Sequence, residues 1–483
     1  MTDTSTLTNF APLVLDLMVV FTALLVLATD ILLPAGRKKG LGQLTAVALA
    51  GILGLSFVVD TSGLAFSGAY EGSAWTLFFK RLFLGVGALV ALGGTEHVDQ
   101  RYPGRQGELW LLLLSTLLGM MLLPGARNLI LFVVAFELMG LPLVLMAAWP
   151  KTEDADGPGR KAPEAALKLY VVSAASTAIT GMGMALLFGA SGSLALADLA
   201  GAPQTPLLWL GLFTVIAGLS FKVGAVPFHQ WVPDTYEGAP TPVVGFLSVA
   251  PKAAGLAAFA LILLEAFGSA QARWLPVMLF LTVITLVVGN ALAVPQNDAK
   301  RLLAYSGIAQ IGYMLIAVVI GTEAGQAVLL FYLAGYAVTN LGAFLVIEAV
   351  TGDAPDADLG RFAGLYQRAP GLAFALLIFL LSLAGIPFVV GFWAKLYVFM
   401  AAYEAGLGWL VGLGAALSIL ALFYYLRLAK AVYLRSVDDP QPVAAGGGLK
   451  LAIWLCLAGT IGFGAWPAPV VDAARAAAAA FGG

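Results

Sequence analysis

Long runs of continuously apolar residues follow one another along the chain, with short polar connections between them. A helix needs about 20 apolar residues to cross the hydrocarbon core of a bilayer. Strands of a membrane barrel would instead alternate apolar and polar positions over about ten residues. The pattern therefore predicts an all-α integral membrane protein with about 14 transmembrane helices, at residues 11–33, 41–60, 76–95, 107–123, 128–149, 163–190, 206–228, 240–268, 272–293, 301–322, 325–350, 371–401, 406–434 and 449–467.

The composition excludes several other classes of protein. Of the 483 residues, 60% are hydrophobic and 11% are charged, whereas soluble domains carry about 25% charged residues. A net charge of −2 lacks the basic surface of a nucleic-acid binder. One cysteine, Cys456, and two histidines give no basis for a disulfide framework, a metal site or a cofactor bound by this chain alone. The first ten residues contain no Lys or Arg, so we expect no cleaved signal peptide.

The charges between the runs predict the orientation of the chain. Cytoplasmic connections carry an excess of Lys and Arg. The side reached after odd-numbered spans, called the basic side below, holds fifteen of them, and the other side holds five, Lys80, Arg81, Arg127, Arg273 and Arg475. Both termini are therefore predicted outside the cytoplasm, in a multi-pass protein of the bacterial inner membrane. The fifteen are Arg37, Lys38, Lys39, Arg101, Arg105, Lys151, Arg160, Lys161, Lys300, Arg301, Arg361, Arg368, Lys430, Arg435 and Lys450.

A weak internal repeat divides the chain. Pro227-Phe228, in GAVPFHQW, recurs as Pro387-Phe388 in AGIPFVVGFW, and three further residues recur at a similar offset. Pro and Phe are common in membrane helices, so chance is an alternative reading. If each repeat has five spans, an odd number, the second repeat crosses the membrane in the opposite orientation to the first. Helices 7 and 12 would be broken near the prolines, as in many transporters with inverted repeats. We predict a three-helix segment at 1–106, repeats at 107–268 and 269–434, and a C-terminal helix and tail at 435–483.

Five ionisable residues stand where the hydropathy predicts membrane. A charge at the bilayer centre costs at least about 2.5–3.5 kcal/mol, so each needs a partner, a hydrated cavity or a function. Proline frees backbone carbonyls that attract water or a cation, and a lysine beside such a break suits reversible proton transfer. The alternative is that prolines kink the helices while the charges form static ion pairs. The five are Glu137, Lys168, Lys222, Lys252 and Lys395; all except Lys168 lie near Pro142, Pro227, Pro251 or Pro387.

Other polar residues allow two interpretations or a structural one. Lys168 either joins this path or extends toward the basic side. His229 either relays protons or caps the loop after the break. Arg427 also falls within a predicted span. The remaining acidic residues of the spans are expected at the membrane interface, and they are Asp16, Asp30, Glu265 and Glu348.

Several segments resemble a known family. GLSFKVGAVPFHQWVPDTYEGAPTPV, SVAPKAAG, NDAKRLLAYSGIAQIGYML, GIPFVVGFWAKLYVF and FYYLRLAKAVY are similar to the antiporter-like membrane subunits of proton-pumping NADH:quinone oxidoreductase, respiratory complex I. PEAALKLY, the APKAAG context of Lys252 and the lysine of span twelve favour its N-type subunits over the L and M types. The resemblance covers nearly the whole chain.

The resemblance implies a role for each residue that matches the family pattern. Glu137 and Lys222 would form the gated input pair of the first half-channel, and Lys168 would modulate Lys222. Lys252 would be the central relay, and Lys395 the terminal proton-loading residue. FMN, iron–sulfur clusters and quinone would lie in partner subunits, with M- and K-type subunits as neighbours.

One position departs from the family pattern, and two rival functions stay open. Many relatives have histidine where this chain has Gln310; glutamine can orient water but cannot carry a proton charge, so no relay is assigned there. The rivals are a subunit of a multi-subunit Na⁺/H⁺ antiporter or related membrane hydrogenase, and a purely structural membrane scaffold. The scarcity of carboxylates on the lysine axis favours protons over sodium, which prefers oxygen ligands.

Overall fold

The computed structural model describes residues 9–149, 161–352, 354, 356–437 and 441–481. Within these ranges the regular structure is helical apart from isolated bridges and one hairpin, in which β1 (Gly63–Ala65) pairs antiparallel with β2 (Tyr70–Gly72). Lys151 and Arg160, two of the cations behind the predicted orientation, lie outside the described residues.

The first part of the chain forms three helices and the hairpin. The third helix is the longest of these three. Ser73 caps its start by accepting a hydrogen bond from the Thr76 N–H at 3.5 Å. Its polar end continues on the basic side as far as Arg101. The three helices are α1 (Val14–Leu32), α2 (Leu41–Leu55) and α3 (Ala74–Arg101).

The middle part contains the first break. The apolar run of span seven predicts one helix, but the helix ends at Val223, where Gly224 takes a left-handed conformation (φ +75°), and Pro227 follows in the loop. Span eight is also interrupted, because a turn at Ser248 and Val249 separates the helix that ends at Leu247 from the helix that begins at Ala250. The helices are α4 (Gln106–Leu122), α5 (Leu129–Ala147), α6 (Ala162–Ser191), α7 (Leu196–Ala200), α8 (Pro206–Val223), α9 (Trp231–Gly238), α10 (Thr241–Leu247) and α11 (Ala250–Ala260), which a π-helical segment (Leu261–Ala266) extends.

The last part contains the second break. Span twelve ends at Ala384, again with a left-handed glycine, Gly385 (φ +88°), and the chain resumes a helix at Val390 beyond Pro387. The predicted breaks of helices 7 and 12 are therefore both present. The helices are α12 (Gln271–Ala293), α13 (Ala299–Ile320), α14 (Glu323–Thr351), α15 (Leu365–Arg368), α16 (Pro370–Ala384), α17 (Val390–Glu404), α18 (Gly408–Leu434), α19 (Gly447–Ala465) and α20 (Ala468–Ala479).

Three segments form the centre of the protein. Thr241–Ala266, Ala299–Ile320 and Glu323–Thr351 are buried along nearly their whole length. The helices around them bury only one face, and large apolar side chains such as Phe21, 68% exposed, cover the other. An exposed apolar surface of this kind is stable against lipid and not against water. The central segments are therefore shielded from both lipid and solvent.

The helices agree with the predicted spans. In the described residues, twelve helices are long and apolar enough to cross a membrane, and two shorter apolar helices, Leu41–Leu55 and Pro370–Ala384, occupy the other predicted spans. The exact number of crossings and the inverted repeat remain predictions. Near the C-terminus, α20 packs against α14 and α3.

Candidate functional site

Lys252 lies at the centre of the molecule, one turn after the interruption at Val249. Its side chain is 1% exposed, and its Nζ has no hydrogen-bond partner among the described residues. The ring of Tyr236 lies 5.5 Å from Nζ. Gly307 of α13 makes room for the ammonium group, because a Cβ at that position would lie 2.8 Å from Nζ. A buried ammonium without a counter-ion is costly unless it is hydrated or loses its proton.

Lys222 occupies the last turn of α8, directly before the first break. It lines a cavity of about 20 Å³ together with Ser173, Ser176 and Trp231, which is enough for a water molecule. A Cβ on Gly140 of α5 would lie 2.8 Å from its Nζ, and the ring of Phe136 lies 4.8 Å away. A small space, lined mainly by apolar side chains, thus lies beside the lysine at the break.

Glu137 lies near Lys222 without a direct ion pair. It stands three residues before Gly140 and so shares a face of α5 with it. Its Oε1 accepts a hydrogen bond from Thr177 Oγ1 at 2.5 Å, and no pair with Lys222 within 4.0 Å occurs in the described residues. The carboxylate is near enough to act on Lys222 electrostatically. The geometry corresponds to a separated pair.

Lys395 lies beside the second break. Its Nζ donates to the Ala384 carbonyl at 3.1 Å and lies 4.7 Å from the centre of the Tyr313 ring. Gly385 again leaves room, since a Cβ there would lie 2.9 Å from Lys395 Cδ. The lysines beside the breaks and at the centre therefore share one environment, a glycine against the side chain and an aromatic ring over the ammonium group, which stabilises a cation weakly.

A hydrogen-bonded network joins the surroundings of Lys252 and Lys395. Gln310 Nε2 donates to the Leu383 carbonyl at 2.9 Å and to Tyr425 Oη at 3.3 Å, and Gln310 Oε1 accepts from Tyr332 Oη at 2.5 Å. Ser306, on the same face of α13, lies 2.5 Å from Tyr425 Oη. Sequence reasoning noted Gln310 but missed its tyrosine partners, which come from α14 and α18.

Lys168 lies away from this axis. Its side chain is 45% exposed and pairs with Asp234 at 2.8 Å and Glu164 at 2.9 Å. Arg301 of α13 joins the same cluster, bridging Asp234 at 2.9 Å and Glu237 at 2.6 Å. No contact between Lys168 and Lys222 occurs in the described residues, so the geometry favours the interpretation that Lys168 extends toward the basic side.

The same cluster includes Lys161 at the start of α6. Its Nζ lies 2.5 Å from Glu237 Oε1, and this hydrogen bond raises the pKa of Lys161. The pair therefore stays charged at neutral pH. Together with Arg301 it holds α9, which follows the first break, against α6 and α13.

His229 lies half-buried in the loop of the first break. Its backbone carbonyl accepts the Val232 N–H at 2.9 Å, its Nδ1 has no partner among the described residues, and no side-chain hydrogen bond caps the start of α9. Both interpretations of His229 stay predictions. Arg427 of α18 donates a hydrogen bond to the Gln296 carbonyl. Neither side chain joins the three lysines.

Two buried ion pairs correct the sequence-based interpretation. Lys80, counted among the surface cations, is 0% exposed and pairs with Asp16, which is 3% exposed and not interfacial. Glu348 is also buried and lies 2.5 Å from His97 Nδ1. These residues stand one or two turns from helix ends, where hydropathy predicts an interface, and their partners are distant in sequence. Asp30 and Glu265 pair with Lys38 at 3.0 Å and Arg127 at 3.2 Å.

Within the described ranges, no group of three or more His, Cys, Asp or Glu residues could hold a metal ion. Along the axis of Lys222, Lys252 and Lys395, the geometry instead provides three amines without a direct carboxylate partner among the described residues, the nearby Glu137 carboxylate and a hydroxyl–amide network. Such groups can accept, hold and pass protons.

Comparison with known proteins gives concordant matches. Residues 126–421 match the family described as NADH:quinone oxidoreductase/Mrp antiporter, TM. NADH-quinone oxidoreductase subunit N of Desulforamulus reducens is 35% identical over 478 residues, covering 98% of this chain and 99% of that protein. A chain of respiratory complex I from Thermus thermophilus with bound aureothin has 33% identity and a TM-score of 0.81, covering 96% of this chain and 99% of that one. A chain of the Mrp complex from Dietzia sp. has 20% identity and a TM-score of 0.87 at 98% coverage of both, which is a likeness of fold alone.

Proposed function

The chain belongs to the NADH:quinone oxidoreductase/Mrp antiporter family of membrane subunits, and on that basis we propose that Lys222, Lys252 and Lys395 carry protons along its midplane. It is an N-type, proton-translocating membrane-arm subunit of NADH:quinone oxidoreductase, respiratory complex I. As such it has other complex I subunits as partners.

The environment of Lys252 supports the proposal most directly. Its ammonium group is almost fully buried and has neither a carboxylate nor a hydrogen-bond partner among the described residues. A static structural cation would be paired, because an unpaired buried charge is strongly destabilising. A group that alternates between charged and neutral forms is unpaired for part of its cycle. The arrangement therefore favours proton transfer over the scaffold hypothesis.

The remaining residues suggest an order of events. When Glu137 moves toward Lys222, the positive form of the lysine is stabilised, and when they separate its proton is released more readily. Lys252 then takes up a proton through water. Gln310 and its tyrosine partners orient the hydrogen bonds toward Leu383 and Ala384, where Lys395 is loaded. The redox reaction elsewhere in the complex would drive the movement of Glu137.

The antiporter alternative is less well supported. The likeness to the Mrp chain is one of fold at 20% identity, whereas subunit N of Desulforamulus reducens is 35% identical over nearly the whole length. Three lysines along the axis would also repel Na⁺, which needs oxygen ligands. Copurification with antiporter subunits instead of iron–sulfur and quinone-site subunits would overturn the assignment.

Further features of the assembly follow as proposals. The chain would sit between M- and K-type subunits in the bacterial inner membrane, with both termini on the periplasmic side. It would contribute to an H⁺-translocating enzyme without a cofactor of its own, while partners bind FMN, iron–sulfur clusters and quinone.

The experiment is the Lys252→Ala variant in the assembled complex. We expect normal assembly, fewer protons pumped per NADH oxidised and a slower coupled quinone reduction. Lys430→Ala, which removes an exposed lysine of α18, is the control and should behave as wild type. Normal pumping by Lys252→Ala would rule out the assigned role.

A further inference from the structure

A buried histidine–carboxylate pair lies on the basic side, outside the three-lysine axis. His97 Nδ1 of α3 is 2.5 Å from Glu348 Oε1 of α14, and their side chains are only 7% and 6% exposed. The second carboxylate oxygen, Oε2, has no hydrogen-bond partner among the described residues. The pair joins the N-terminal three helices to the centre of the protein.

The groups around the pair determine which nitrogen of the His97 imidazole carries the proton. Arg101 Nη1 lies 3.5 Å from His97 Nε2, and Arg101 Nη2 donates to the Gly352 carbonyl at 2.7 Å. An arginine can only donate, so Nε2 is assigned as the acceptor and the neutral imidazole carries its proton on Nδ1, facing Glu348. A proton taken up at Nε2 can then be matched by release of the Nδ1 proton to the carboxylate.

The other charged groups near the pair are cations, and they oppose retention of an added proton. Lys300 of α13 acts electrostatically on Glu348 while its Nζ donates to the Ala239 carbonyl at 2.9 Å. The ring of Tyr102 lies 6.0 Å from the imidazole. Helices α10 and α19 also pack against α3, but in the described residues no charged side chain of theirs contacts the imidazole.

A stripe of side chains leads from Glu348 toward Lys252. Positions 348, 344, 340 and 336 of α14 follow one another at four-residue spacing, so they share one face of the helix. Asn340 Nδ2 donates to Ser248 Oγ at 2.7 Å, and Tyr336 Oη donates to the Ser248 carbonyl at 3.3 Å. Ser248 stands four residues before Lys252. Tyr336 Oη and Lys252 Nζ both lie next to the Cα of Gly307, since a Cβ there would be 3.1 Å from the first atom and 2.8 Å from the second. The stripe therefore ends at the central lysine.

One aromatic layer interrupts the stripe. Phe344 meets Tyr236 edge to face, with ring centres 5.8 Å apart, between the levels of Glu348 and Asn340. These two levels are separated by about 12 Å along the helix, so water must cross the layer. Asn340 Oδ1, Glu348 Oε2 and Lys252 Nζ are all buried and have no hydrogen-bond partner in the part of the chain that the structure describes. Buried polar groups of this kind are normally satisfied by water.

From this geometry we propose that His97 and Glu348 form the site at which a proton is taken up from the basic side on its way to Lys252. His97 Nε2 gains a proton from solvent, and its Nδ1–H bond breaks as the Glu348 Oε1–H bond forms. Glu348 then releases this proton to water, which carries it past Phe344 to the neutral amine of Lys252. The proposal rests on the proposed function, since it supplies protons to the same lysine. It assigns uptake to the other histidine of the chain and not to His229.

The test distinguishes a proton-transfer role of His97 and Glu348 from a purely structural role in holding α3 against α14. In His97→Asn the side-chain amide can still donate to Glu348 from the position of Nδ1, but it cannot titrate. We expect this variant and Glu348→Gln to assemble and to lose pumped protons per NADH by the same fraction as Lys252→Ala. The double variant should lose no more than either single one, because residues of one path are not additive. Gln100→Ala, an exposed residue one turn further along α3, is the matched control.

Each outcome decides the matter. Wild-type pumping in His97→Asn would mean that the pair has only a structural role. That result would overturn the uptake site and leave the role of Lys252 intact. Wild-type pumping in Lys252→Ala would instead overturn the proposed function itself. If both His97→Asn and Lys252→Ala lose pumping while Gln100→Ala does not, the uptake site is supported.

Discussion

The Gly307→Ala substitution tests whether the space around Lys252 matters for proton transfer. The added methyl group would lie 2.8 Å from Lys252 Nζ and 3.1 Å from Tyr336 Oη. Non-bonded heavy atoms prefer about 3.5 Å or more, so the ammonium group must move by about 0.7 Å. Overpacking of this size costs about 1–3 kcal/mol, whereas alanine favours the helix over glycine by about 1 kcal/mol. We therefore expect a small net change in stability and a displaced lysine.

The assay is proton pumping by the purified complex in proteoliposomes. A displacement near 1 Å can slow a positioned reaction by about 100-fold, so we expect transfer through Lys252 to fall at least about tenfold. Gly181→Ala is the matched control, because this helical glycine has no other atom within 4 Å of the added methyl group. Wild-type protons per NADH in Gly307→Ala, with the complex assembled, would refute the reasoning.

Substitutions at three further positions, Gln310, Lys80 and Lys168, test other parts of the structure. Gln310→Leu removes the hydrogen-bond acceptor of Tyr332 Oη and should lower the number of protons pumped per NADH several-fold. Gln310→His should restore this number. Equal pumping in both variants would contradict a role for the network. Lys80→Ala leaves the buried Asp16 carboxylate unpaired and should destabilise the subunit by about 3–5 kcal/mol, seen as a lower thermal midpoint of the complex; an unchanged midpoint would count against the buried pair. Lys168→Ala breaks two partly exposed ion pairs, with Asp234 and Glu164, each worth at most about 1 kcal/mol, and pumping should stay close to wild type. A loss as large as in a Lys222→Ala variant would show that Lys168 belongs to the path.

Much of the fold could be predicted because hydropathy and proline act locally. Apolar runs predicted every helical span, and Pro227 and Pro387 predicted both breaks. The cost of charge in a membrane was enough to identify Lys222, Lys252 and Lys395 as buried. These conclusions depend only on a residue and its immediate neighbours in sequence.

The remaining features depend on contacts between distant segments. Lys80 looks like a surface cation because it lies two turns inside a helix end, and only the approach of α1 shows that Asp16 pairs with it. His97 and Glu348 are 251 residues apart, and each alone resembles an interfacial residue. The glycines opposite the three lysines carry no signal in the sequence, since the chain contains 56 glycines.

The most direct test of the central claim is the number of protons pumped per NADH by the Lys252→Arg complex, measured beside Lys252→Met. Arginine keeps the positive charge but cannot release its proton in a protein, whereas methionine has a similar length and no charge. If Lys252 works by changing its protonation, both variants lose the same fraction of pumped protons. If Lys252→Arg pumps as wild type and Lys252→Met does not, the lysine acts only as a fixed charge, and the proposed relay is contradicted.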